Sequence, residues 1–373
     1  MSLTALLDRF HSVAANPAAQ KDAYLSAGKK VVLTAPVYTP EEIIHAMGAV
    51  SMGAWGADVE LQQAKRYFPA FICSIMQSIL ELGMRGVYEG ASAIVIPSLC
   101  DSLKVLGQNW KYAVPSIPFI PMTYPQNRKP AFAADFIKAG YRRVIRDLEQ
   151  ATGLVFEEEK LAASLEVYNA HNAAMRRVSA LMAAHPEITN AQRSDVFKSA
   201  FFMRKEEHTA LVNELITALE AAPAAKAALP IYTTGILADA PGLLAILDEV
   251  GLQVAGDDVA AESRQYRTDA PAFGTPLDRL VEKFRSTDNC SVLYDVEKNR
   301  VPMIVAEAKA AGAKGVLVVL TKFCDPEEFD YPLIKKACDA AELPCALIEV
   351  DRQMVNYEQA RTVIETFRDL VCE

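Results

Sequence analysis

The sequence predicts an α/β protein made of two parallel-sheet domains, with a helical segment between them and a helical N-terminus. Three observations lead there. Short apolar β-runs alternate with helical stretches towards both ends of the chain, an alternation that builds parallel sheets. Between those ends, from Lys129 to Ala225, strand signal is almost absent. The two ends also share one local unit, Ile94-Val95-Ile96-Pro97-Ser98-Leu99-Cys100-Asp101 and Val318-Val319-Leu320-Thr321-Lys322-Phe323-Cys324-Asp325. In each, a buried β-run ends, a cysteine follows, and an aspartate able to cap a helix comes next. The expected division is residues 1–128, 129–226 and 227–373, with flavodoxin- or Rossmann-like sheets in the outer two.

The elements follow in order. The start at Met1-Ser2-Leu3 reads as an amphipathic helix, and Lys29 to Ala35 as the first strand. Thr39-Pro40-Glu41-Glu42 reads as a capped helix start. Helices are expected over Glu60–Phe68, Phe71–Gly83 and Asp101–Tyr112, and strands over Ala91–Pro97 and Ile117–Tyr124. In the middle, Glu157–Ala184 and Lys205–Ala222 carry Ala, Leu, Glu and Arg at helical spacing. Strands then resume at Leu229–Ile236, Leu252–Ala255, Ser291–Tyr294, Gly315–Lys322 and Cys345–Val350. Helices are expected at Pro241–Val250, Val301–Ala311, Glu327–Ala341 and Asn356–Val371. The two α/β portions look like weak repeats of one another.

Composition narrows the function. A chain of 373 residues can bury two or three cores, and 51% hydrophobic with 23% charged residues is ordinary for a globular protein. A net charge of -9 argues against nucleic acid as the main partner, because phosphate binding needs a basic face. No apolar stretch reaches the roughly 18 to 20 residues of a membrane helix, and the first residues lack the pattern of a signal peptide. The expected location is cytoplasmic. The 7 cysteines are odd in number, which speaks against a disulfide framework, and no Cys-x-x-Cys is present. A metal site would therefore be assembled from residues distant in sequence. The 5 histidines are scattered, and neither a dinucleotide fingerprint nor a phosphate-binding lysine loop appears.

The cysteine units carry the clearest chemistry. In Cys324-Asp325-Pro326-Glu327-Glu328, Asp325 is expected as the N-cap, Pro326 as the first helical residue and Glu328 as the returning partner of a capping box. Cys100-Asp101-Ser102 repeats the arrangement. Cys73 follows Pro69 near the start of a helix whose buried face is Ile72, Ile75, Met76, Ile79 and Leu80. Helix N-termini favour thiolates, and the ends of parallel strands are where open sheets bind ligands. One site across an interdomain crevice is the sharp reading; buried cysteines used as small hydrophobes are the bland one. Cys338, Cys345 and Cys372 fit packing or exposure, while Cys290, next to an expected strand, stays open as a ligand. Gln108-Asn109-Trp110-Lys111 and Pro125-Gln126-Asn127-Arg128-Lys129 either line a crevice or touch a partner, or are solvated loops around a buried Trp.

Several separated stretches carry a resemblance that extends over essentially the whole chain. They are Ala35-Pro36-Val37-Tyr38-Thr39-Pro40-Glu41-Glu42, Gly53-Ala54-Trp55-Gly56, Ala64 to Cys73, Pro97 to Lys104, Gln108 to Lys111, Pro125 to Arg128 and Lys322 to Glu328. Together they resemble the beta subunit of the 2-hydroxyacyl-CoA dehydratases, the family that acts on 2-hydroxyglutaryl-, 2-hydroxyisocaproyl-, phenyllactyl- or lactoyl-CoA. The resemblance implies a hydro-lyase subunit paired with an alpha subunit. Each subunit holds a 4Fe-4S cluster on three cysteines, which here match Cys73, Cys100 and Cys324, with a non-cysteine ligand on the fourth iron. It further implies an ATP-dependent iron-sulfur activator protein that delivers one electron, in the anaerobic fermentation of amino acids. Water then leaves an (R)-2-hydroxyacyl-CoA through a ketyl radical to give a 2-enoyl-CoA, with the acyl-CoA mainly at the partner subunit. No catalytic acid or base is assigned on this chain. Asp325 and Glu328 are read as helix caps, and Arg128, Lys129 and Lys65 as solvated surface or as contacts to CoA or the partner. The alternatives are a subunit of a benzoyl-CoA-reductase-type enzyme and a cluster-free, two-lobed small-molecule-binding protein.

Overall fold

The computed structural model describes residues 2–227 and 229–372. The chain begins with two helices, α1 (Leu3–Ala15) and α2 (Pro17–Ser26), and then enters β1 (Val31–Thr34). The first α/β unit continues with α3 (Glu41–Ala46), β2 (Val50–Gly53), α4 (Ser74–Met84), β3 (Ala93–Pro97), α5 (Asp101–Ala113) and β4 (Phe119–Met122). Four helices follow: α6 (Ala131–Thr152), α7 (Glu158–Ala183), α8 (Asn190–Ser199) and α9 (Lys205–Ala221). The second unit comprises β5 (Leu229–Gly235), α10 (Pro241–Glu249), β6 (Leu252–Val259), α11 (Pro276–Ser286), α12 (Arg300–Ala310), β7 (Val316–Thr321), α13 (Asp325–Ala340), β8 (Cys345–Val350) and α14 (Glu358–Cys372).

Every strand pair is parallel, as the alternation predicts. The sheets have orders β2-β1-β3-β4 and β6-β5-β7-β8, so the second repeats the first strand for strand. Strands such as Val31-Val32-Leu33-Thr34 and Ala93 to Pro97 are buried at every residue. Helices cover both faces of such strands, which is why they read as continuous apolar runs. In each sheet the order reverses beside the first strand, between β1 and β3 and between β5 and β7. In doubly wound sheets ligands bind in the crevice at that reversal.

Three local readings need correction. β2 was not foreseen, because Val50-Ser51-Met52-Gly53 is too short and mixed to stand out. Glu60 to Phe68 does not form an α-helix and holds only a 3-10 turn at Ala64–Arg66. Its backbone instead bends around the fully buried Glu81, whose carboxylate accepts the N–H groups of Gln62, Gln63 and Ala64 at 3.1, 2.9 and 2.8 Å. Ser291 to Tyr294 is not a strand either. Its polar groups are bound sideways: Ser291 Oγ donates to Glu327 at 2.7 Å, and the Tyr294 carbonyl accepts from Arg128 at 2.9 Å.

The N-terminal helix packs on the helical middle through Leu6, Leu7 and Phe10, which share a core with Met175, Phe197 and Leu215. Inside this layer His171 of α7 and His208 of α9 meet at 3.0 Å. His208 Nε2 lies 3.1 Å from the Val196 carbonyl, which can only accept, so Nε2 carries the proton and Nδ1 accepts from His171. Burial holds both imidazoles neutral, lowering His208 to about 3 and His171 well below the usual range, with the neighbouring Lys205 acting in the same direction on both. The unfolded chain therefore binds more protons below the ordinary histidine pKa. Stability present above that value is lost as pH falls from there towards 3. By pH 4.5 His208 alone accounts for a loss of about 2 to 3 kcal/mol. Urea unfolding at pH 7 and pH 4.5 should show it. His208→Gln should shrink the difference, and an unchanged difference would mean that other groups cause the acid loss.

Candidate metal centre

Cys73, Cys100 and Cys324 line one cleft, with a volume of about 540 Å3. The topology puts them there. Cys100 follows β3 and Cys324 follows β7, the equivalent strands of the two sheets, while Pro36 and Val37 follow β1 and Ile236 follows β5. The cleft thus lies where the two reversal points face each other. Cys73 enters from the side, at the start of α4.

Each of the three is itself the N-cap of its helix: Cys73 of α4, Cys100 of α5 and Cys324 of α13. This corrects the capping expectation. Asp325 is the first helical residue, Pro326 comes second, and no side chain caps α13, so Glu328 closes no capping box. The cause is the turn before the helix. Phe323 has a φ of 61°, a left-handed conformation, and so delivers Cys324 rather than Asp325 to the capping position. Thr39 likewise caps nothing, because its hydroxyl donates to the Ala35 carbonyl at 2.8 Å and Pro40 precedes α3.

None of the three sulfurs accepts a capping hydrogen bond, but backbone N–H groups lie close enough to lower the thiol pKa: those of Ile75 and Met76 for Cys73, of Leu103 and Ser102 for Cys100, and of Glu327 for Cys324. These donors favour thiolates but do not prevail. Burial pushes Cys73 up to about 12 despite its two N–H groups, and raises Cys100 and Cys324 as well. Negative charge on Cys100 raises Cys73, and negative charge on Cys73 and Cys100 raises Cys324. Three neighbouring thiolates therefore need a positive body among them. Among the described residues no His, Cys, Asp or Glu trio is spaced for a single metal ion, so the thiols stand round the cleft without closing on one point.

The other cysteines lie outside the cleft lining. Cys290 is buried against the Arg264 guanidinium, 3.6 Å from Nη1. Cys338 is fully buried in the core beneath α13, Cys345 is in β8 and Cys372 is exposed. Arg128 is not surface: it is 2% exposed and donates to Thr287 O, Tyr294 O and Asp288. Lys129 is exposed, as read, and pairs at the surface with Arg285 O and Asp288, and Lys65 is exposed too. Of the polar cluster on α5, Asn109 donates to Tyr67 O at 2.7 Å and Trp110 is buried with its Nε1 on Ile117 O.

Sequence reasoning missed the buried charges that hold Cys324 in place. Asp258, at the end of β6, is fully buried and accepts from Arg264 and Arg300. Arg300 also donates to Glu327 at 2.8 Å, to Asp330 at 2.9 Å and to Thr234 at 2.8 Å. Glu327 and Asp330 belong to the first turns of α13. Burial pushes the Asp258 and Glu327 carboxyls up, but the guanidiniums of Arg264 and Arg300 outweigh it and hold both below the usual range. Across the Pro36–Val37 turn opens a larger cavity of about 880 Å3, walled by Tyr38, Glu41, Glu42, Tyr124, His171, Lys205 and Lys283. Its charges pair internally, Glu41 with Lys205 at 3.1 Å and Glu42 with Lys283 at 2.5 Å.

Comparison with known proteins bears on this arrangement. The family model described as 2-hydroxyglutaryl-CoA dehydratase, D-component, matches residues 36–371. The (R)-phenyllactyl-CoA dehydratase beta subunit of Clostridium sporogenes is 46% identical, over 92% of this chain and 92% of its own. The lactoyl-CoA dehydratase subunit beta of Anaerotignum propionicum is 37% identical, over 98% and 99%. The (R)-2-hydroxyglutaryl-CoA dehydratase subunit beta of Acidaminococcus fermentans is 36% identical, over 99% and 100%.

Proposed function

The chain belongs to the 2-hydroxyglutaryl-CoA dehydratase D-component family, as a subunit of a hydro-lyase that acts on 2-hydroxyacyl-CoA, and we propose that it holds a 4Fe-4S cluster on Cys73, Cys100 and Cys324. The observation that carries this is that three cysteines, each at the N-cap position of a helix, line one cleft at two facing reversal points. The donor set fits the group. Iron supplies the positive charge that three buried thiolates require, and the positive ends of the helix N-termini stabilise the remaining negative charge. Three sulfurs leave one iron for a ligand other than cysteine.

The reaction explains the need. In a 2-hydroxyacyl thioester the hydroxyl sits on the α-carbon and the β-hydrogen is not acidic, so base-catalysed elimination has the wrong polarity. One-electron chemistry, which such a cluster supplies when bound, inverts it. This chain's part is to bind the group, keep water away with Ile75, Met76, Leu103 and Ile236, and present helix N-termini to the thiolates. The residues of the cleft include no carboxylate set up as a catalytic acid or base: Asp101 and Asp325 are exposed first-turn residues.

The same reading assigns the partners. Phe71 and Phe329 are 72% and 75% exposed, and Phe323 beside Cys324 is exposed too, giving apolar surface near two of the thiols for an alpha subunit to cover. An ATP-dependent iron-sulfur activator supplies the electron, and the acyl-CoA binds mainly at the partner. Among the described residues no helix is long and apolar enough to cross a membrane, and the proposed location is cytoplasmic.

The test is anaerobic co-expression with the alpha subunit, followed by addition of activator, ATP and a reductant. The expected result is 2-enoyl-CoA from an (R)-2-hydroxyacyl-CoA by the complex and none from this chain alone. Turnover without the second subunit, two-electron reduction of benzoyl-CoA in place of water loss, or an iron-free active complex would overturn the assignment.

A further inference from the structure

Behind the cysteine cleft lies a second, smaller cavity of about 290 Å3, lined among others by Asp58, Ser74, Ile75, Asp239, Thr321 and Arg352. Ile75 lines both cavities, so the turn that starts α4 at Cys73 is the wall between them. Two buried polar atoms of this second cavity have no partner among the described residues: Nε of Arg352 and Oγ1 of Thr321. Thr321 ends the strand that leads to Cys324. Arg352 is 6% exposed, and its backbone N–H donates to the Ser74 hydroxyl at 3.1 Å, one residue after Cys73.

The guanidinium is fixed from two sides. It pairs with Asp58 at 3.1 Å, on the segment leading to α4, and with Asp239 at 3.0 Å, on the loop after β5. Burying a guanidinium is costly, and leaving one of its donors unsatisfied adds to the cost. Packing alone would be served better by an apolar side chain. A positive charge held there instead acts through low-dielectric protein on whatever negative charge gathers at the thiols.

We propose that Arg352 is a positioning residue for the metal centre, a fixed cation whose field raises the reduction potential of the cluster at Cys73. The inference rests on the cluster assignment above. A reduced cluster carries one more negative charge than an oxidised one and is stabilised more by the same cation. Asp58 and Asp239 offset part of that field, so removing one carboxylate should act in the opposite direction to removing the arginine.

The experiment uses the anaerobically purified complex and an EPR-monitored redox titration. The signal belonging to this chain is the one that Cys324→Ser abolishes. Arg352→Gln should keep wild-type iron content and shift the midpoint of that signal to lower potential, Arg352→Lys should restore most of the shift, and Asp58→Asn should move the midpoint up. Asp58 is partly exposed, so its variant tests the field even if Arg352→Gln does not fold. If no signal depends on Cys324, the cluster assignment fails. If the signal is present and its midpoint moves in neither Arg352→Gln nor Asp58→Asn, the role of Arg352 fails while the cluster assignment stands.

Discussion

Serine at Cys73, Cys100 or Cys324 is expected to remove most of the iron bound by this chain and to lower 2-enoyl-CoA formation by at least about 100-fold, since changes one shell further out already cost 10 to 100-fold. Serine is nearly isosteric with cysteine, so the helix starts should survive. What is lost is the soft, readily ionised donor, because a buried hydroxyl gives up its proton far less easily than a thiol. Serine at Cys338 or Cys372 should leave iron content unchanged, since one is fully buried in the core beneath α13 and the other is exposed on α14. Cys290 is the sharpest control. It is as buried as Cys73 and touches a guanidinium, yet it is absent from the cleft lining. Full iron in Cys73→Ser together with iron loss in Cys290→Ser would show that the third ligand was misassigned. The measurement is iron and acid-labile sulfide per complex, read beside activity.

The parallel sheets were legible because strands covered on both faces write themselves as near-continuous apolar runs rich in Val and Leu, as in Val316 to Thr321. The repeat was legible because Cys100 and Cys324 occupy the same place in it. The cap residue was not, since that depends on the positive φ at Phe323, and nothing in the side chain announces it. Buried charges were the larger blind spot. Arg128 read as solvated surface or a contact, because arginine is mostly exposed, and Arg300 and Arg352 drew no reading at all. Their partners come together only on folding: Arg300 meets Glu327 across 27 residues, and the Arg352 backbone meets Ser74 across 278. The Pro36-Val37-Tyr38 segment was quoted only as part of a resemblance. The structure gives it a place, for Pro36 and Val37 sit at the first reversal point and separate two cavities.

Arg300→Met should be the most destabilising single change outside the cysteine cleft. The side chain is almost wholly buried and donates to Asp258, Glu327, Asp330 and Thr234. Methionine fills much of the same volume, so the loss is electrostatic rather than a void. Asp258 and Glu327 keep Arg264, and Asp330 keeps Lys298 at 2.8 Å, but three buried carboxylates then share less positive charge than they need. Breaking a buried ion pair from one side costs about 3 to 5 kcal/mol, and urea unfolding of the variant at pH 7 should show a loss in that range. The loss should shrink as pH falls and the stranded carboxylates take up protons. In the native protein Asp258 and Glu327 are held ionised below the usual range, so their contribution is present at neutral pH and disappears on acidification. Because Glu327 and Asp330 lie in the first turns of α13, the same variant should also loosen the helix start that presents Cys324, and iron content should fall with stability. A loss under about 1 kcal/mol at pH 7, or undiminished iron in a clearly destabilised variant, would mean that the network does not hold the Cys324 turn in place.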